Sequence, residues 1–314
     1  MAANESNMPF IRNLASSDRK TRTSALQSLR MFLSAPATAS RLTHVDLLKL
    51  WKGLYYSLWM CDRPVPQQDL CAELAALLTA LPPGVVAPWL AAFWEILGRE
   101  WTGIDVYRLE KFLLLVRRVL GAALAWALPD DRDEDDDDDD REGMGGNNNN
   151  SSSSSSSSSS RAAQKKTKGG KGGAGVRADR QDALLENLAR WPFDAAADLS
   201  RVPVGLRLHV LDIWVDEVER LGLLGPARAA GLGEAGRQFV DRLGLLVEAQ
   251  TRSACKPVRA RAKETLADDR LPWNADGADD DDDDDDDDGD NDGVGGSAKP
   301  GGSGDKDAWA GFDD

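Results

Sequence analysis

The segment from Thr43 to Cys61, which reads THVDLLKLWKGLYYSLWMC, decides the fold class of this chain. Its large apolar residues recur at intervals of three and four, which places on one face of a helix Leu47, Trp51, Leu54, Tyr55 and Leu58. Thr43 followed three residues later by Asp46 predicts a capping box, with Asp in place of the usual Glu. We therefore expect an amphipathic helix that ends near Cys61.

Helical spacing extends on both sides of this segment, through the first 128 residues, with almost no strand-like alternation. Ser16-Ser17-Asp18 predicts the start of a helix that carries Leu26, Leu29 and Leu33 on one face. Three more helices are predicted at about Pro66 to Leu81, at Val85 to Glu100, and from a cap at residues 102–105 to Leu128. Such helices, joined by short Pro/Gly turns, must pack antiparallel, so we expect an all-α array of the HEAT or armadillo kind without a visible sequence repeat.

Low-complexity segments divide this helical sequence into parts. Residues 129–178 contain runs of Asp, Asn and Ser and a Lys/Gly segment, and they lack the apolar side chains that offset ordering entropy. Residues 271–314 hold a second Asp run and many glycines. We expect a helical domain formed by residues 8–128 and 179–270, a disordered insert between them and a disordered acidic tail. Helices in the second part are predicted near Leu184 to Leu188, Leu206 to Leu224, Glu234 to Gln250 and Val258 to Asp268.

The net charge of −15 misrepresents the predicted folded part of the chain. Of the 53 acidic residues, 23 lie in two tracts, Asp130 to Asp140 and Asp276 to Asp292. Without these tracts, 37 Lys and Arg stand against 30 Asp and Glu. A mildly basic body with acidic arms suits a protein that works among RNA and basic proteins.

Catalytic and metal-binding patterns are scarce in the sequence. The three cysteines are scattered without a CxxC pair, and His44 and His209 are the only histidines. Gly231 to Gly236 matches the glycine pattern of dinucleotide sites, but no predicted strand precedes it, so we interpret it as a loop between helices. We predict that the chain is not an enzyme and holds neither cofactor nor metal.

Export and membrane insertion are not expected. The first residues lack the basic and apolar regions of a secretory signal. The uncharged stretch from Leu74 to Trp94 is long enough to span a bilayer, but Pro82-Pro83-Gly84 and Pro88 interrupt it. We interpret this stretch as two core helices joined by a turn.

Aromatic and basic residues of the first part are candidates for a surface that binds a protein or RNA. They are Trp51, Lys52, Trp59, Arg63, Arg99, Trp101, Arg108, Lys111 and Arg118. Arg108, Lys111 and Arg118 recur at helical spacing away from the stripe of that helix, which favours either a phosphate-facing patch or an ordinary solvated face. The tryptophans favour either an interface or the core. The cluster from Lys165 to Lys171 fits a nuclear import signal, an RNA-contacting arm or a solvated linker.

Several blocks of the sequence resemble the ribosomal RNA processing protein 1 family, known also as the nucleolar protein of 52 kilodaltons. The blocks are Phe10 to Ala15 with Asp18-Arg19-Lys20, Leu50 to Tyr56 with Trp59 to Pro64, Arg99 to Asp105 with Arg108 to Phe112 and Arg117-Arg118, and Gly205 to Ile213 with Asp216-Glu217. They cover roughly residues 8 to 128 and 180 to 250. The insert and the acidic tail depart from the family, in which many members carry long basic extensions.

The resemblance implies a nuclear, nucleolar protein without catalytic residues that is needed for cleavage steps in ribosomal RNA maturation, chiefly on the large-subunit pathway. Its implied partners are proteins of the pre-ribosomal particle and precursor ribosomal RNA, and the acidic tracts either bind basic ribosomal proteins or keep the chain soluble. Two alternatives stay open at this point. One is a generic helical-repeat adaptor that binds only proteins in the nucleus, and the other is a metal-dependent nuclease that uses Asp and Glu.

Overall fold

The structure is a computed structural model that describes residues 10–128, 173–196, 198–224 and 229–274. All regular elements in these ranges are helices, which confirms the predicted all-α class. Most of the predicted insert at 129–178 and of the acidic tail at 271–314 lies outside the described residues, and so do the predictions made for those parts. In the described remainder, α8 already begins at Gly173 and Leu271 is buried in the core, so the ordered region extends a few residues beyond the predicted boundaries at both places.

The helices before the insert are α1 to α7. Their bounds are Phe10–Leu14, Arg19–Leu33, Pro36–Ala39, His44–Trp59, Pro64–Ala76, Pro83–Glu100 and Val106–Ala127. Short 3-10 turns follow α5 at Leu77–Ala80 and α6 at Trp101–Gly103. The helices after the insert are α8 to α11, with bounds Gly173–Arg190, Val204–Arg220, Ala229–Gln250 and Lys256–Leu266.

Helices from both sides of the insert build one continuous apolar core. In the first part α4 packs on α1 and α6, and α5 packs on α7. Helix α8 lies against α6 and α7, α9 against α7 and α11, and α10 against α8 and α11. Near the insert, the guanidinium of Arg180 in α8 lies 5.9 Å from the ring of Trp126 in α7. The two stretches of sequence therefore stabilise each other by burying a shared surface.

Helix starts follow the predicted local chemistry. The capping box before α4 is confirmed, because the Thr43 hydroxyl accepts from the Asp46 N–H at 3.3 Å and the Asp46 carboxylate accepts from the Thr43 N–H at 3.0 Å. Asp18 caps α2, with its carboxylate 2.8 Å from the Thr21 nitrogen. Asp105 caps α7 in the same way.

Three local predictions need correction. Pro88 lies inside α6 and does not interrupt it, because the helix already begins at Pro83 and only one backbone donor is missing in its second turn. The sequence predicts a loop at Gly231 to Gly236, but these residues lie within α10, where burial of Phe239, Val240, Leu243 and Val247 offsets the low helix propensity of glycine. The short helices α1 and α3 are absent from the sequence prediction.

Candidate partner surface

Lys111 fixes the start of α7 against the end of α4. Its ammonium group donates to the carbonyl oxygens of Trp59 at 2.9 Å and Cys61 at 2.8 Å. These carbonyls lie at the C-terminal end of α4, where helical backbone donors run out and a cation is favourable. Burial lowers the pKa of Lys111, and Asp62, 3.8 Å away, opposes that shift. Lys111 is therefore a structural cation that joins two helices.

Arg108 lies one turn before Lys111 and covers Trp59. Its guanidinium carbon is 4.8 Å from the centre of the Trp59 ring, a cation–π geometry. The same guanidinium pairs with Asp105, and the hydrogen bond from Arg108 lowers the pKa of that carboxyl. The indole of Trp59 is half-buried, so Arg108 holds a partly accessible aromatic ring in one orientation.

A second cation of this region, Lys52 on α4, lies close to two tyrosine rings of the same helix. Its Nζ lies 5.2 Å from the centre of the Tyr56 ring and 5.8 Å from that of Tyr55, and it pairs with Glu100 at the end of α6. Tyr55 is buried in a stack with Phe112, whereas Tyr56 reaches solvent. Lys52, Tyr56 and Trp59 thus place basic and aromatic groups close together on α4.

The start of α7 presents the most exposed aromatic residue of the described chain. Tyr107 is 92% exposed and follows closely on the cap Asp105, which fixes its backbone. Its neighbour Val106 is also exposed, as is Met60 at the end of α4. Exposed apolar side chains beside aromatic and basic groups make this region a candidate binding surface. We define the aromatic–basic edge as Lys52, Tyr56, Trp59, Tyr107 and Arg108.

Two of the predicted surface residues lie in the interior, and the prediction that they face a partner is wrong. Trp51 is 2% exposed, packs on Trp89 and Phe93, and donates its indole N–H to the Trp89 carbonyl at 3.0 Å. Lys111 is 5% exposed because the end of α4 takes up its charge. The predicted patch of Arg108, Lys111 and Arg118 is therefore not a continuous surface.

The remaining predicted residues are spread over other places. Trp101 is half-buried and packs against Gly205. The contact is so close that a Cβ added to Gly205 would lie 3.0 Å from the indole nitrogen. Arg63 is exposed at the start of α5, and Arg118 is exposed on α7. Arg99 lies on another face and pairs with Glu95. The structure thus brings together only Lys52, Trp59 and Arg108 from the predicted set.

The sequence reasoning missed two residues, Tyr107 on the surface and Arg207 in the interior. Tyr107 lies off the apolar stripe of α7, a signal that was available in the sequence. Arg207 is fully buried and donates to the carbonyl oxygens of Val202 at 3.0 Å, Asp194 at 3.0 Å and Pro192 at 3.3 Å. Its position within the apolar stripe of α9 indicates a buried cation, because a solvated arginine would lie opposite that stripe.

The reactive side chains of the described chain are held in structural contacts. Burial raises the pKa of Cys71 to about 12, which keeps its thiol protonated. Burial lowers the pKa of His209, whose Nε2 lies 2.9 Å from the Leu113 carbonyl oxygen. No cluster of His, Cys, Asp or Glu in the described ranges could hold a metal ion. None of the described helices is long and apolar enough to cross a membrane.

Comparison with known proteins decides the family. The sequence model of the nucleolar protein family Nop52 matches residues 5–135 and 175–312, on both sides of the insert. The chain belongs to the Nop52 family. Among curated relatives of this Nop52 chain, it is 41% identical over 114 residues to the human ribosomal RNA processing protein 1 homolog A, and 36% identical over 124 residues to the mouse homolog B. A Caenorhabditis elegans homolog is 32% identical over 132 residues.

These alignments cover part of each protein. They include 35%, 38% and 40% of the present chain, and 25%, 17% and 33% of the human, mouse and nematode proteins respectively. The resemblance read from the sequence blocks is thereby confirmed at the level of the Nop52 family.

Proposed function

We propose that the chain acts in the nucleolus in ribosomal RNA processing, chiefly on the large-subunit pathway, as a non-catalytic component of the pre-ribosomal particle. The observation that carries this proposal is membership of a family named for nucleolar proteins, together with relatives named for ribosomal RNA processing. We further propose that α1 to α11 form a HEAT- or armadillo-like array, and that the array acts as a rigid platform for other components.

The platform role is supported by where the charged and nucleophilic groups lie. His44 pairs with Glu95 at 2.9 Å, His209 is half-buried against α7, and Cys71 is buried with a raised pKa. Catalysis needs acid–base groups or nucleophiles that can reach a substrate. In the described chain, Cys71 and His209 are engaged in helix contacts, and His44, although exposed, is engaged in its ion pair with Glu95.

The aromatic–basic edge is the surface that we propose docks on a protein of the precursor particle. Trp, Tyr and Arg dominate the binding energy of many protein interfaces because they combine large apolar area with directed polar contacts. The cap at Asp105 fixes the backbone of Tyr107, and the Tyr56 ring meets that of Tyr55 edge to face, so the positions of both side chains on the surface are set before binding. We also propose that the two Asp tracts bind basic ribosomal proteins.

The docking proposal is tested with the double variant Tyr56→Ala/Tyr107→Ala in the full chain. Both rings are exposed, so folding should be retained while co-sedimentation with precursor particles falls by at least tenfold, which corresponds to about 1.4 kcal/mol. The matched control is Leu245→Ala, which removes another exposed apolar side chain, on α10. Co-sedimentation equal to that of the control would remove the edge as a docking surface.

The processing role itself is tested by depletion and rescue in cells. Depletion should cause precursor ribosomal RNA to accumulate, and the intact chain should reverse it. Normal precursor profiles after depletion would contradict the proposed function and favour a protein adaptor with another role. Intact precursor RNA after incubation of the purified chain with magnesium is the expected result for a non-catalytic protein, and cleavage would contradict it.

A further inference from the structure

A cleft with three arginines opens between α6, the end of α8 and the segment that leads from α8 to α9. Its volume is about 730 Å³, within the range of pockets that take ligands of nucleotide size. The residues that give it its chemistry are Arg99, Arg190, Arg201, His44, Glu95 and Ser200. Arg99, Arg190 and Ser200 reach solvent, so the cleft is open along one side.

The charge of the cleft is positive and only partly compensated. Glu95 is the one carboxylate among its lining residues, and it pairs with both Arg99 and His44. The guanidinium of Arg190 makes no hydrogen bond or ion pair with any residue that the structure describes. Among the lining residues one carboxylate stands against three guanidinium groups, and Asp198 beside the cleft offsets part of the charge of Arg201. The cleft keeps a net positive charge, which favours an anionic ligand.

Arg201 is held ready for such a ligand. Its guanidinium carbon lies 4.3 Å from the centre of the Trp191 ring, and one of its nitrogens donates to the Arg190 carbonyl. A planar guanidinium fixed on an aromatic ring keeps its other N–H groups free for paired hydrogen bonds to phosphate or carboxylate oxygens. The entropic cost of ordering this side chain around a ligand is therefore small.

The wall that carries Arg201 is built rigidly on the core. Arg207 donates from below to the carbonyl oxygens of this segment, and Gln250 donates to that of Phe193 at 2.7 Å. Gly98 lets the segment lie directly on α6, because a Cβ there would overlap the Arg201 carbonyl oxygen. On the opposite side, Asn187 ties α8 to the Ala87 carbonyl of α6 at 3.1 Å. The cleft is thus a preformed feature of the fold.

We infer that this cleft binds the phosphodiester backbone of a single-stranded segment of RNA. A volume of about 730 Å³ is small for a double helix, so we place in it a single strand whose phosphates contact Arg99, Arg190 and Arg201. The choice of RNA over an acidic peptide rests on the proposed role in ribosomal RNA processing. Phosphate contacts of this kind give affinity with little sequence preference.

The test measures fluorescence anisotropy of a labelled oligouridine of about twelve nucleotides with the full chain at several salt concentrations. Counterion release predicts about fourfold weaker binding near physiological salt for each phosphate that is no longer neutralised, hence about fifteenfold for Arg99→Gln/Arg190→Gln. The slope of log affinity against log salt should flatten by about 1.4. The matched control, Arg12→Gln/Arg30→Gln, removes two exposed arginines of α1 and α2, which line no part of the cleft.

A variant of opposite sign sharpens the test. Glu95→Gln removes the carboxylate that engages Arg99, so oligouridine should bind more tightly, by up to about fourfold. Equal affinities of the cleft double variant and its control would overturn the inference, as would an absence of binding by the intact chain. Preferential binding of a labelled deca-aspartate peptide, abolished in the cleft variant, would assign the cleft to acidic peptides instead. None of these results depends on the depletion test in cells, so the two proposals fail separately.

Discussion

Replacing Arg207 by Met should strongly destabilise the fold, although the change keeps the apolar part of the side chain. The guanidinium donates to four carbonyl oxygens in the segment between α8 and α9. Those of Val202 and Pro192 lie in the interior, and those of Asp194 and Asp198 lie where water can replace the missing donor. Two buried carbonyls without a donor cost about 1 to 3 kcal/mol each, so we expect the free energy of unfolding to fall by about 2 to 6 kcal/mol.

That decrease is a large part of the 5 to 15 kcal/mol that is typical of a domain of about this size. Urea unfolding followed by circular dichroism measures it. Arg252→Met is the control, since its side chain is 82% exposed and should change the free energy of unfolding by less than about 0.5 kcal/mol. Arg207→Lys, which keeps the charge but supplies fewer directed donors, should fall between the two and remains measurable if the Met variant does not fold. An unfolding free energy of Arg207→Met equal to that of the control would refute the reasoning.

Three further changes test other contacts. Gly98→Ala should lower the free energy of unfolding by roughly 1 to 3 kcal/mol, because the Arg201 backbone must move. The control Gly84→Ala lies in the same helix and its Cβ meets no atom within 4 Å, so urea titration should show no loss of stability. Lys111→Met should lower the free energy of unfolding by roughly 1 to 3 kcal/mol, since the Trp59 carbonyl loses its side-chain donor and the Cys61 carbonyl keeps only that of Gln67. Unchanged urea midpoints would contradict this. The pKa of His209 is lowered in the fold, so the unfolded chain takes up a proton at a higher pH than the folded chain does. The free energy of unfolding should therefore fall as the pH drops below about 6.5. Urea unfolding of the intact chain and of His209→Gln across this pH range should show a smaller decrease for the variant.

The helices of the chain could be predicted because their signals are local. The capping box of Thr43 and Asp46 and the stripe of α4 lie within one segment, and the structure reproduces both. Exposure within that stripe could not be predicted. Trp51 and Trp59 lie on the same helix, but α6 covers Trp51 while Arg108 from the start of α7 covers Trp59 only in part. The tertiary arrangement decides which neighbour covers each ring, and helical spacing does not specify it.

The sites are harder to predict than the helices for the same reason. Helical spacing predicts Lys111 on a solvated face, and its burial follows from the end of α4, about fifty residues earlier in the chain. Arg190 and Arg201 acquire a shared role only because their segment folds back on α6 through Gly98. A buried cation such as Arg207 is visible in the sequence as a charge inside an apolar stripe, but its partners are not.

The contact between Trp126 and Arg180 bears on how long the segment between α7 and α8 can be. Because α7 and α8 pack on each other, the chain departs from and rejoins the core at neighbouring points, whatever the length of sequence between them. The entropy of joining two fixed points grows only with the logarithm of the intervening length, by about 0.6 kcal/mol for each doubling. For the disordered insert that the sequence predicts, expansions of the Ser and Asp runs should therefore be nearly neutral for stability, and a reporter domain inserted at this position should leave the helical body intact.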